Sequence, residues 1–157
     1  MRRFGWIALA ALVVDQLTKL AARQLTAAVT LIPGVVGLRY AENTGMAFSL
    51  FSGRPWLLGL LSAALIVLGF AVLRRYRLGA VAQIAAMLML GGAAGNMIDR
   101  LFIGYVVDMI EVLFIDFAIF NVADAALTVG CVLMAWSLLF RPKDWSEKHG
   151  NTEGDPV

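Results

Sequence analysis

The chain has 157 residues, of which 61% are hydrophobic, and its mean hydropathy is +0.80. Soluble domains use roughly 45–50% apolar residues, and a single domain of this length cannot hide the excess, so lipid must cover it. A formal net charge of +2 without a basic patch is too weak to suggest nucleic acid, while one cysteine (Cys131) inside an apolar run and one histidine (His149) in the polar tail exclude an intrachain disulfide, Ser–His or Cys–His catalysis and histidine-rich metal sites.

Taken in chain order, four segments are apolar enough to cross a bilayer. The first, about 4–22, is interrupted by Asp15, Gln16, Thr18 and Lys19. Arg2 and Arg3 ahead of an apolar stretch also fit a cleavable signal peptide. Against that reading, such a peptide has no use for Asp15 and Lys19, and three more spans follow. The connection after it contains "LIPGVVGLRYAENTGMAFSLF", where β-branched and aromatic residues with glycine and proline predict short strands over about 30–55. "SGRPW" then turns the chain back toward lipid. Span two, about 56–73, carries no charge, and span three, about 78–98, has only Gln83 and Asn96 as strongly polar members. A second connection leads to span four, about 121–140. Residues 1–142 read as one membrane domain and 143–157 as a mobile polar tail.

Basic residues set the orientation. Arg2, Arg3, Arg74, Arg75, Arg77, Arg141, Lys143 and Lys148 fall on one side if four helices alternate, and these are eight of the thirteen Lys and Arg. The positive-inside rule makes that side the cytoplasm, with both termini inside and the two longer connections outside. Depth then follows at about 1.5 Å per residue. Asp15 lies near mid-membrane, with Lys19 about 6 Å further out on the same helix face. Gly92, Asn96 and Arg100 stack on one face of span three near the outer surface. Asn121 and Asp124 sit about one turn into span four, and Asp108 lies in the connection just before it.

Structural readings stand beside functional ones. Asp15 and Lys19 form an intrahelical ion pair or part of a site. "GGAAG" at 91–95 suits close helix packing, Asn96 an interhelical hydrogen bond, and Arg100 a headgroup anchor. Asp124 resists such treatment. An acid at bilayer depth costs about 2.5–3.5 kcal/mol on insertion scales and is a functional hypothesis by default. Two carboxyls held close keep one proton between them, so the ionised one activates water while the protonated one serves a carbonyl oxygen and then a leaving amine. Asp108 and Asp124 suit that chemistry, and sequence leaves open which of them carries the proton.

Five strings in order carry a resemblance: "DQLTK" at 15–19, "ENTGMAFSL" at 42–50, "GGAAGNMIDR" at 91–100, "VVDMIE" at 106–111 and "FNVADAALTVG" at 120–130. Over roughly residues 6–140 the chain resembles the lipoprotein signal peptidases (signal peptidase II), bacterial inner-membrane aspartyl proteases. The resemblance implies an all-α membrane protein of four spans with a small periplasmic β-rich cradle between spans one and two. It implies Asp108 and Asp124 as the catalytic pair, with Asp15, Lys19, Asn43, Gly92, Asn96, Arg100, Asn121 and Ala123 in supporting or substrate-binding positions. The implied reaction removes the signal peptide of a diacylglyceryl-modified prolipoprotein just before its lipidated cysteine, without metal or cofactor. Implied partners are those substrates, membrane lipid and cyclic peptide inhibitors such as globomycin. Asn43 and Arg100 are expected at the lipid headgroup or substrate backbone, Asn96 and Asn121 at the aspartates, and Asp15 and Lys19 beneath the site. Met109 replaces a more usual phenylalanine and Ala118 a common proline, departures that touch loop shape and no reactive group.

Two other classes compete. A proton-coupled carrier needs polar groups continuing to the cytoplasmic face, but "FGWIALAALVV" lies below Asp15, span two offers only Ser62, and no inverted repeat is present. A non-catalytic assembly protein would keep full function in Asp108→Asn.

Overall fold

The structure, a computed structural model, describes residues 4–45 and 53–147. Its long elements are four helices: α1 (Gly5–Ala22), α2 (Pro55–Arg74), α3 (Ala80–Phe102) and α4 (Val122–Phe140). All four are long and apolar enough to cross a membrane. Their surface confirms the composition argument, because large apolar side chains point outward: Val67 is 68% exposed, Leu68 60% and Leu139 73%. Polar residues are inside. Asp15, Asn121 and Ser137 are fully buried.

α3 is the hub, packing against each of the other three helices. Glycines permit the approach. A Cβ on Gly91 would meet the carbonyl of Ala8 in α1, and one on Gly130 of α4 would meet Met89 and the carbonyl of Ala85 in α3. Gly59 of α2 sits against Leu101 in the same manner. Helix backbones without intervening side chains gain dispersion contact, which replaces the hydrophobic drive that lipid removes.

The β-rich part is a three-stranded antiparallel sheet in the order β1 (Val29–Ile32), β2 (Val36–Asn43), β4 (Val106–Val112). Two of these strands lie in the segment where strands are expected, and residues 46–52 of that segment fall outside the described residues. The third strand, β4, is contributed by the second connection. Its residues Val106, Val107 and Met109 are buried; Val107 and Met109 make a small core with Ala22, while Val106 lines the cleft described below.

Two elements run past the bounds read from hydropathy. α3 continues to Phe102, beyond the span expected over about 78–98, and carries Arg100 in its last turn. The stop comes at Gly104, whose positive φ of 80° places it in the left-handed region that glycine adopts without strain. Its N–H reaches back to the Asp99 carbonyl at 3.1 Å. The segment after 142 is also not wholly a free tail. Pro142–Asp144 form a 3-10 turn, and β5 (Trp145–Glu147) pairs antiparallel with β3 (Tyr76–Leu78). Trp145 explains the order: its indole N–H donates to the buried Ser137 hydroxyl at 3.1 Å, and its ring meets Tyr76 edge-on. Residues 148–157 lie outside the described residues.

Candidate active site

α4 begins at a capping box. The Asn121 side-chain oxygen accepts from the Asp124 N–H at 2.9 Å, and the Asp124 Oδ2 accepts from the Asn121 N–H at 3.2 Å. A third donor of that first turn, the Ala123 N–H, goes to Asp15 Oδ1 of α1 at 2.9 Å. Three backbone donors at the helix start thus meet two carboxylates and an amide oxygen, the arrangement a helix N-terminus favours. Ala123 contributes its backbone and its small size, since a Cβ on Gly92 would meet the Ala123 carbonyl and one on Gly95 would meet both Asp15 and Ala123.

β4 delivers the other acid. Asp108 pairs with Ala41 of β2, and the bridge between Ile110 and Phe120 lays the start of α4 alongside the strand. That bridge is made by Ile110 N–H to the Phe120 carbonyl at 2.8 Å and Phe120 N–H to the Ile110 carbonyl at 3.1 Å. Asn121, the next residue, therefore reaches Asp108: its Nδ2 donates to Asp108 Oδ1 at 2.7 Å. Asn121 so touches both aspartates, one by its side chain and one by its backbone. Asn43 of β2 donates to Asp108 Oδ2 at 3.1 Å, and Asn96 of α3 donates to Asp124 Oδ1 at 2.7 Å. Each carboxylate accepts two hydrogen bonds, and each uses both oxygens to do so.

Below the pair lies a buried ionic cluster. Lys19 of α1 is 2.8 Å from Asp15 Oδ2 and 2.9 Å from Asp99 Oδ2, and it donates to Asn96 Oδ1 at 2.9 Å. With its oxygen turned to Lys19, Asn96 has its NH₂ free for Asp124, so the lysine fixes the amide's orientation. Arg100 donates to the Gly45 carbonyl at 3.0 Å, and its buried Nε has no partner among the described residues.

All ten residues singled out in the sequence therefore gather in one region. Two further members were not singled out. Asp99 is 3% exposed and bonds to Lys19, to Gln16 at 3.1 Å and to the Val107 N–H at 3.4 Å. Gln16 also donates to Asp15 Oδ2 at 3.2 Å. The signal available for Asp99 was its spacing of three from Asn96, which puts both on one face of α3.

The aspartates open onto a cleft of about 930 Å³, lined also by Asn43, Arg100, Phe117, Phe120 and Leu127. Its walls are mostly apolar with a few convergent polar groups, as ligand sites are. Burial pushes the Asp108 carboxyl up to about 6, with the Asp124 charge adding to the rise and the Asn43 and Asn121 hydrogen bonds and Lys19 opposing it. Among the described residues no three His, Cys, Asp or Glu side chains are placed to hold a metal ion.

Four helices of membrane-crossing length and a cleft that holds two carboxylates define the class, a multi-pass membrane protein. Comparison with known proteins places it further. The family profile described as signal peptidase (SPase) II matches residues 7–140. A lipoprotein signal peptidase of Latilactobacillus sakei subsp. sakei is 41% identical over 115 residues, covering 73% of this chain and 76% of the relative. One from Streptococcus pyogenes serotype M5 is 41% identical over 124 residues, covering 76% of this chain and 76% of the relative. A solved bacterial membrane enzyme is similar with a TM-score of 0.81 at 27% identity, covering 97% of this chain and 92% of that one. The chain belongs to the signal peptidase II family, and it is accordingly a protease.

Proposed function

We propose that the chain is an aspartyl endopeptidase of the bacterial inner membrane that removes the signal peptide from diacylglyceryl-modified prolipoproteins, cutting just before the lipidated cysteine. The observation that carries this reading is the buried Asn121, whose side chain holds Asp108 while its backbone holds Asp124, so that both aspartates line one cleft. The names of the relatives, lipoprotein signal peptidases, support the substrate class.

In the proposed reaction Asp124 takes a proton from a water molecule as its oxygen attacks the scissile carbonyl carbon. Asp108, already lifted to about 6 by burial and lifted further when substrate excludes water, carries the second proton. It donates a hydrogen bond to the carbonyl oxygen and, as the carbon–nitrogen bond breaks, a proton to the leaving amine of the modified cysteine. The pair begins and ends with one proton between its members. Arg100, whose Nε has no partner among the described residues, and Asn43 both line the cleft and are suited to the lipid headgroup or the substrate backbone.

The placement that suits this chemistry has both termini in the cytoplasm and the cleft and sheet at the outer, periplasmic side. A lipid-anchored peptide presents its scissile bond at that surface, and α4 begins at that depth. Cyclic peptide inhibitors of the globomycin type belong in the same cleft. The test of the substrate class uses two peptides that differ only in acylation of the cysteine. Cleavage before the cysteine of the acylated peptide alone is the expected result. Equal cleavage of both, or cleavage elsewhere, would remove the lipid from the account.

A further inference from the structure

Asp99 is used by no step above, yet it is a buried acid linked to both aspartates, to Asp108 by one hydrogen bond to the preceding residue and to Asp124 by three successive polar contacts. It lies on α3 one turn from Asn96 and is 3% exposed. One route from it is through the strand. Its Oδ2 accepts the Val107 N–H at 3.4 Å, and Val107 immediately precedes Asp108. The other route is through the cation. Lys19 Nζ is 2.9 Å from the same Oδ2 and donates to Asn96 Oδ1 at 2.9 Å, and Asn96 donates to Asp124 Oδ1 at 2.7 Å. One oxygen thus grips the strand that carries Asp108 and the lysine that orients the amide on Asp124.

An ion pair alone does not explain this arrangement. Lys19 already has Asp15 at 2.8 Å, so one buried cation faces two buried acids, and Gln16 donates to both of them. Removing the second acid would leave Lys19 paired and would spare the penalty of taking one more charge out of water. An excess buried acid that touches both arms of a reactive pair is therefore better explained by positioning than by stability.

We propose that Asp99 is a positioning residue that sets the separation and orientation of the Asp108–Asp124 pair, acting through Val107 on one side and Lys19–Asn96 on the other. The proposal rests on the aspartate-pair reading of the site. The charged groups that bear on it are Lys19 and Asp15 of α1, Arg100 of α3, Asp108 of β4, Asp124 of α4 and Glu42 of β2 at the cleft rim. In Asp99→Asn, Lys19 loses one of its two counter-acids and presents more of its charge to the pair.

The experiment uses the full chain in detergent, cleaving an acylated prolipoprotein peptide, with pH–rate profiles for the unmutated chain and Asp99→Asn. The expected result is a fall in kcat of about 10- to 100-fold, the size of effect a misplaced group of order 1 Å produces, with the acid limb moved to lower pH. A double-mutant cycle with Asn96→Ala should be non-additive, because both substitutions cut one chain of contacts. A merely structural role lowers the active fraction and leaves the shape of the profile alone. An unshifted acid limb, or an additive cycle, overturns the proposal. Should Asp99→Asn fail to fold, Asp99→Glu keeps the charge beside Lys19 but displaces the oxygen that takes the Val107 amide. Folded Asp99→Glu with unimpaired kcat overturns it as well. Failure of the underlying reading is separate: it shows as cleavage surviving in Asp108→Asn and Asp124→Asn.

Discussion

Asp124 is the third residue of α4, and its carboxylate accepts from the Asn121 N–H and from Asn96. A first-turn acid at a helix N-terminus is favoured by the local dipole, so the position tolerates a charge that mid-helix lipid would not. Asn121 serves two purposes, and substitution can separate them. Asn121→Ser keeps an oxygen for the Asp124 N–H and loses the amide that holds Asp108. Its thermal transition should stay close to that of the unmutated chain while cleavage falls by about 10- to 100-fold. Asn121→Leu should lose activity and also about 1 kcal/mol of stability with the cap. Equal activity in Asn121→Ser would show that the Asp108 contact is dispensable. The lifted Asp108 carries a pH signature of its own. Its carboxyl sits at 3.8 in an ordinary setting and at about 6 in the folded chain. Between those values the native state holds a proton that the unfolded chain has released, so stability falls as pH rises through the window. Thermal unfolding followed across that range should show this slope, and Asp108→Asn should flatten it. The positions of Asn121 and Asn96 beside the aspartates were expected from the family resemblance, whereas the residues alone gave Asn96 only as an interhelical hydrogen bond. Asp99 was not expected there, since an acid beside Arg100 at a helix end reads as an interfacial pair until the fold shows it turned inward.

At the scale of elements, hydropathy located the four helices because lipid imposes a length that the chain must match. It did not locate β4. "VVDMIEV" is too short for periodicity to separate strand from buried turn, and the β2 residues it pairs with lie 63 to 76 positions away in sequence. The two-stranded pairing of β3 with β5 was hidden for a similar reason. Polar composition around 145 suggests a tail, whereas the Trp145 contacts with Ser137 and Tyr76 and the bond from the Gly79 N–H to the Asp144 carbonyl hold the segment in place. The glycine face of α3 was readable as packing, and the structure gives it a second consequence. Gly95 leaves the room that Asp15 and Ala123 occupy, so packing and the site are the same contact. Gly95→Ala should cost about 1–3 kcal/mol by overpacking and should lower cleavage too, because α3 carries Asn96 on the next residue. Thermal unfolding and cleavage rates measured together check this. A variant that unfolds earlier but cuts at the full rate would separate packing from the site.

Over the whole molecule, charge and polarity are distributed along one axis. The exterior is apolar, and the buried polar groups concentrate where α1, α3, α4 and the sheet meet, while α2 contributes none to the site. The orientation proposed for this axis is open to a labelling test. In a Cys131→Ser background, Ala28→Cys should react with an impermeant thiol reagent applied from outside, and Arg77→Cys only after the membrane is opened. The reverse pattern would put the cleft on the cytoplasmic side and exclude a substrate presented at the outer surface. The central claim, that two aspartates and a water molecule perform the cleavage, is tested most directly by one comparison. The purified chain, Asp108→Asn and Asp124→Asn are each given an acylated prolipoprotein peptide in the presence of a chelator. The account predicts that the unmutated chain cuts before the modified cysteine and that each variant, although folded, loses at least about 1,000-fold in rate, as removal of an essential acid or base does. Cleavage at comparable rates by either variant would contradict it.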